Sequence, residues 1–420
     1  MTRSESVSRR EYFKWLVSVG GTAALAACLD AQNEAPGEES VPIPKGDPSE
    51  RPDRQHAWND ALETDDAGNY RLPTHHVLVA FNLLDDPTAD DADTVESALR
   101  SIESAYGYDS DGLLFTVGYG PSYFERLSAD SPIPEPRALT SIEDPVFDEF
   151  DGLIHLASDK PDVVLEAESA LFGELSKPNG VEMDATLNGI VERADPRRTG
   201  FLGTGQPAAH ADEIGGLPDG ISEETPAFMG FKSGFQSSQA PEDRVTLQSG
   251  PYAGGTTTHL ETLDIQLRAW FTQEDHWLRV AKTFSPEHAA EGTVGETGEK
   301  LDTATGAAEA AEQTASDART EGVVGHAQKT ARARDEDGTA PLLRRDFNTT
   351  DRDVPGLHFL AHQRTIDDYV RVRQAMAGED IDGVGQRVNN GLLQYIFVVR
   401  RGNFLVPPRS KRSLPGIGEA

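Results

Sequence analysis

The sequence predicts an α+β fold built in two halves, and two observations carry this reading. Residues 76–83 (His-Val-Leu-Val-Ala-Phe-Asn-Leu) form a short apolar run with strand character, residues 92–104 an acidic helical segment, and residues 112–124 a second strand run. That β-α-β order opens a ferredoxin-like unit. After residue 200 a second series of strands and helices repeats the arrangement, without any repeat visible in the sequence itself.

The elements follow in order. Residues 151–159 (Asp-Gly-Leu-Ile-His-Leu-Ala-Ser-Asp) read as a strand, and 161–171 as the helix after it, with Pro161 suited to a first helical turn. His155 alternates with apolar neighbours there and reads as a packed or edge histidine. Residues 260–271 and 354–363 are strand candidates, and 366–376 a helix with arginines on one face. Residues 392–396 and a strand at 404–408 close the pattern. Between them, 286–320 is rich in Ala, Glu, Gly and Thr, so an exposed helix near 307–319 or a mobile excursion is expected, with His288 exposed at its start.

The N-terminus reads as an address. Ser8-Arg9-Arg10-Glu11-Tyr12-Phe13-Lys14 fits the twin-arginine export pattern, and the apolar stretch 15–27 is too short to span a bilayer as a lone helix. Leu25-Ala26-Ala27-Cys28 looks like a lipobox. Cys28 is the only cysteine, which excludes an intramolecular disulfide and makes lipid anchoring its economical use. The expected organisation is a signal over 1–28, a disordered acidic linker over 29–70, and a folded domain over 71–410, divided at residue 200. The expected location is the outer face of the cytoplasmic membrane, held only through the lipid.

Composition narrows the partners. The chain carries 71 acidic against 38 basic residues, a net charge of −33, with the acids spread along its length. Such a surface keeps a protein soluble where salt screening is strong, and we read it as a halophile's, of haloarchaeal type. It excludes nucleic acid as a partner, since no basic stripe is available to neutralise phosphates.

Four segments carry the chemistry: Gly325-His326-Ala327, Leu342-Leu343-Arg344-Arg345-Asp346-Phe347-Asn348, Gly356-Leu357-His358-Phe359-Leu360-Ala361-His362-Gln363-Arg364 and Phe404-Leu405-Val406-Pro407-Pro408. Together they resemble the C-terminal half of the dye-decolorising (Dyp-type) peroxidases, with their proximal histidine, "LRRG-[FY]" segment and "GL-x-F-x-A-[YH]-Q" strand. Residues 116–124 (Thr-Val-Gly-Tyr-Gly-Pro-Ser-Tyr-Phe) are similar to the second strand of that family, so the resemblance reaches both halves. It implies a dimeric α+β barrel of two ferredoxin-like halves, haem b as cofactor, and oxidation of an electron donor by hydrogen peroxide. A homo-oligomer is compatible with it.

The resemblance implies His326 as the iron's axial ligand and Arg344 as the distal cation. A neutral imidazole serves as a haem ligand, and an arginine stabilises a developing negative oxygen without losing its own charge. The family's distal "GF-x-DG" loop matches Gly230-Phe231-Lys232-Ser233-Gly234, with Ser233 in place of the aspartate. A serine hydroxyl hydrogen-bonds peroxide but is no useful proton acceptor. A haem-binding or haem- and iron-trafficking lipoprotein with little turnover is therefore the alternative reading, and a barrel without haem that recruits partners is a third.

Phe231 and Phe359 are expected against the cofactor, and Arg332 and Arg334 at its propionates, with Arg345 and Arg364 as lesser candidates. Trp270, Trp277 and Tyr395 are candidate electron relays. His358 and His362 lie four apart on a strand said by the resemblance to line the pocket, so one is expected to face the cofactor while the other packs. Neither His75-His76 nor His210, beside Asp212 and Glu213, has metal-site company, and no P-loop, GxSxG elbow or CxxC pair is present.

Overall fold

The computed structural model describes residues 42–211, 221–385 and 387–417. The export motif, the apolar stretch, Cys28, Asp212 and Glu213 lie outside them. The described residues from Pro44 onward form one compact unit.

In the first half, β1 (His75–Leu83) leads through α1 (Ala89–Ala105) to β2 (Leu114–Tyr119). The short β3 (Val146–Phe147) and β4 (Gly152–Ser158) are followed by α2 (Pro161–Leu171) and β5 (Val191–Phe201). Thr88 starts α1 through a capping box with Asp91, and Pro161 occupies the first turn of α2. In the second half, β6 (Thr256–Ile265) gives way to α3 (Leu267–Gln273), α4 (His276–Thr283), α5 (Pro286–Glu291) and α6 (His326–Ala331). Then come β7 (Leu343–Arg344), β8 (Phe347–Thr349), β9 (Gly356–Gln363), α7 (Ile366–Ala377) and β10 (Ile396–Val406).

Strand order reveals the repeat that the sequence hides. The strands run β2-β4-β1-β5-β8-β9-β6-β10-β3, with β7 also on β9. In each half the first strand sits between the third and the fourth, as β1 does between β4 and β5, and β6 between β9 and β10. This is the ferredoxin-like order twice over. Pairing of Phe201 with Asn348 and of Leu405 with Tyr119 joins the halves edge to edge, so eight antiparallel strands form a barrel.

Because side chains alternate along a strand, each sheet has one face toward the other half and one toward its own helices. Leu78, Ala80, Leu153, Leu260, Phe347, Leu360 and Phe404 meet between the sheets as an apolar core. The same faces also carry histidines. His76 Nε2 donates to the Pro73 carbonyl (2.7 Å), so its Nδ1 accepts from His155 Nε2 (3.0 Å). His155 is thus the packed strand histidine expected. His362 Nδ1 bonds Thr258 Oγ1 (2.8 Å), and His56 lies 6.0 Å from it between ring centroids.

Several expectations are corrected. The linker does not extend to residue 70, because Trp58 and His56 are fully buried and Arg51, Gln55 and Asn69 nearly so. Low average hydrophobicity concealed one tryptophan that anchors the segment: its ring lies 5.2 Å from that of His155 and its Nε1 donates to Gln55 O (2.8 Å). The strand expected over 260–271 stops at Ile265, and Trp270 and Phe271 belong to α3. Residues 391–394 make a 3₁₀ turn, and the last strand is the continuous β10. The exposed helix near 307–319 is broken into short pieces, with Ala307, Ala310, Thr314 and Ala318 buried. His288 is buried between Ser285 and the Thr305 carbonyl rather than exposed. On α7, Arg371 pairs with Asp335 (2.9 Å) and Asp368 (3.1 Å), while Arg373 turns to buried Glu143, since residues two apart on a helix do not share a face.

Candidate functional site

A cavity of about 290 Å³ opens between the outer face of the C-terminal sheet and the helices over it. Glu261, Leu263 and Ile265 of β6 and Leu357 and Phe359 of β9 form its floor. His358 and His362 point the other way, into the barrel, which corrects the expectation that one of them faces the cofactor. His358 Nε2 lies 3.2 Å from an Asp351 carboxylate oxygen there. Among the described residues no cluster of three or more histidine, cysteine or acidic side chains is arranged to hold a metal ion.

His326 is the first residue of α6 and lines the cavity. Its approach depends on Gly325, where a Cβ would come within 1.6 Å of the Phe284 carbonyl. The imidazole is pushed down to about 3, by burial first and then by the charges of Lys329, Arg344 and Arg373. It is therefore neutral, with a lone pair available. Its Nδ1 is buried without a hydrogen-bond partner among the described residues.

Ser233 sits in the loop between Gly230 and Gly234, and at Gly234 the backbone takes φ +82°, a conformation that favours glycine. The supposed linker holds this loop. Asp65 pairs with Lys232, and Asn69 Oδ1 accepts from the Gln236 backbone N–H at 2.8 Å. Arg344 Nη1 donates to Ser233 Oγ at 3.3 Å and lies 4.0 Å from Asp346 Oδ1.

The segment from Leu342 to Asn348 obeys a period of two. Leu342, Arg344, Asp346 and Asn348 line the cavity. Arg345 and Phe347 project into the barrel: Arg345 stands 5.5 Å over the Trp58 ring, and Phe347 stacks on His76 at 4.5 Å.

Of the other expected residues, Phe231, Phe359 and Arg334 line the cavity. Arg334 donates to the carbonyls of Gly338 (2.7 Å) and Ser237 (2.8 Å). Arg332 is directed to Asp380 instead, and Arg364 to the Thr246 carbonyl at 3.2 Å; neither lines the cavity, nor does Arg345. Trp270 and Tyr395 are buried and meet edge to face at 5.1 Å, whereas Trp277 is exposed.

Sequence reasoning missed Asp346, Arg373, Glu143, Glu261 and Tyr369, all in the wall. Burial pushes Glu261 up, but the His259 hydrogen bond and the charges of Arg401 and Arg373 outweigh it and hold the carboxylate at about 2. Arg373 pairs with Glu143 through Nη2, while its buried Nη1 has no partner among the described residues. Two-residue spacing from Arg344 was the available signal for Asp346; the others depend on which elements meet.

A family model matches residues 73–408. The chain belongs to DUF7405, a family of unknown function. No curated protein matches this DUF7405 chain. Solved structures of low identity share its fold. A variant of DypB from Rhodococcus jostii RHA1, in complex with heme, aligns with TM-score 0.55 at 14% identity, over 87% of this chain and 99% of that one. A dye-decolorizing peroxidase from Bacteroides thetaiotaomicron gives 0.51 at 16%, over 84% and 98%. The encapsulated DyP-type peroxidase from Mycobacterium smegmatis gives 0.50 at 14%, over 84% and 98%. This DUF7405 chain therefore has the Dyp-type fold of paired ferredoxin-like units.

Proposed function

We propose that this chain is a haem peroxidase, using haem b to oxidise an electron donor with hydrogen peroxide. The observation that carries the proposal is the presence in one cavity of a neutral imidazole, His326, with the Arg344–Ser233 pair. The residues suit a haem. His326 offers an axial nitrogen; Phe231, Phe359, Leu263 and Ile265 offer apolar contact; Arg334 and the unpartnered Nη1 of Arg373 offer donors for propionates. Haem would supply the electrons that reduce the peroxide. Arg344 would hold the negative oxygen of the bound peroxide, and Ser233 would orient it.

The proposal extends to the address. Twin-arginine export of a folded, loaded protein, a lipid anchor at Cys28 and a salt-rich exterior agree with the N-terminal motifs and the charge of −33.

The test is an absorption spectrum of protein purified in high salt and supplied with haem, followed by peroxide and a dye. A Soret band that His326→Ala weakens or shifts, together with dye oxidation, is expected. A band indifferent to peroxide would instead favour haem carriage, and no band at all would overturn the cofactor.

A further inference from the structure

We propose that Asp346 is the proton acceptor of this cavity, the function that Ser233 cannot perform. The inference rests on the peroxidase reading and deepens it.

Activation of a peroxide requires a base beside the cation that holds it. Among the described residues, four carboxylate side chains line the cavity. Glu143 is tied to Arg373 and, at 3.0 Å, to Arg401. Glu261 is tied to Arg401 at 2.5 Å and to His259 at 3.3 Å. Both are committed to buried ion pairs that oppose protonation. Glu379 is exposed. Asp346 differs from all three. Its side chain is 15% exposed, and its Oδ1 lies 4.0 Å from Arg344 Nη1, whose other neighbour is Ser233 Oγ at 3.3 Å. That separation from Arg344 exceeds hydrogen-bond length, so the carboxylate oxygen is not committed to a bond with the guanidinium. The period-two alternation of Arg344 and Asp346 places both on the cavity face of one extended segment, so they cannot be rearranged independently.

The step balances simply. Hydrogen peroxide gives one proton to an Asp346 carboxylate oxygen, leaving HOO⁻ beside the Arg344 guanidinium and a neutral carboxylic acid. One negative charge moves from carboxylate to peroxide, and Arg344 stays protonated throughout. Ser233 contributes a hydroxyl hydrogen bond and no proton acceptance.

Hydrogen cyanide tests this without turnover, because it binds ferric haem as the anion and must likewise surrender a proton. The experiment compares cyanide association by stopped-flow absorption in haem-loaded wild type, Asp346→Asn and the double variant Ser233→Asp/Asp346→Asn. Asp346→Asn should keep the wild-type Soret band and haem stoichiometry yet slow association about a hundredfold. The double variant, which returns a carboxylate beside Arg344 at position 233, should recover most of that loss. Asp346→Glu, also retaining the carboxylate, should stay close to wild type and separates loss of the base from damage to the fold. An unchanged rate in Asp346→Asn with a normal Soret band overturns the role of Asp346 alone. A wild type that takes up no haem overturns the peroxidase reading and this inference together.

Discussion

Arg344 and Ser233 meet at 3.3 Å although 111 residues separate them in sequence. The contact requires a strand of the second half and a glycine-bounded loop before it to converge on one cavity, and it defines where a peroxide would be held.

Arg344→Leu should therefore abolish peroxide handling while sparing the cofactor. Removing one pre-oriented charge from such a site costs about 10²–10³ in rate. Stopped-flow mixing of the haem-loaded variant with peroxide measures this, and a rate within a few-fold of wild type contradicts the assignment.

Arg373→Met should weaken haem retention. The buried Nη1, without a partner among the described residues, is a donor available for a propionate, and loss of one charge-assisted bond corresponds to about tenfold in affinity. Haem titration followed at the Soret band gives the dissociation constant. Glu143 keeps its second partner, Arg401, in the variant, so a collapsed fold is not expected.

Trp58→Ala should destabilise the protein by about 3–5 kcal/mol, the usual cost of emptying a buried tryptophan site. Urea unfolding followed by circular dichroism reads this directly. By the same logic a chain beginning at residue 71 should fail to fold, and one beginning at residue 44 should succeed.

Stability should fall steeply in mild acid. His56 and His76 are pushed down to about 3, and His155 and His362 well down, by burial first and with Arg345 adding to each. The unfolded chain binds protons below about pH 6.5 where the folded one does not, so this stability is complete above that pH and is lost on descent toward the folded values. At pH 5 each histidine held near 3 withdraws about 2 kcal/mol. Urea midpoints measured from pH 7.5 to 5 at constant high salt should drop accordingly, and a flat profile contradicts the neutral cluster.

How much of this was legible in the sequence depends on the range of the interaction. His326, Ser233 and Arg344 stand in short local frames that match the family's, so their company in one cavity followed from the resemblance. The strands β1 and β9 and the helix α2 were legible for the same reason, through periodicity and a first-turn proline. Arg332 was not, because it and Arg334 lie in the turn that follows α6, where no regular period applies and only the opposing surface decides which of them faces the cavity. His358 and His362 show the same limit on a strand: their shared face was evident, but which side met the cavity was not. The segment around Trp58 was obscured because averaged composition does not weigh a single large side chain.

The alternation between Arg344 and Arg345 makes this strand intolerant of frame. One guanidinium serves the cavity, and its neighbour adds its charge to the burial that keeps the barrel's histidines uncharged. Deleting a single residue just before them would exchange the two arginines, and would also send Asp346 into the core and Phe347 into the cavity. Substitutions along this stretch are thus graded in effect, whereas insertions and deletions act as a switch. Loop length on either side, more than side-chain identity, is the quantity that variation in this protein is least free to alter.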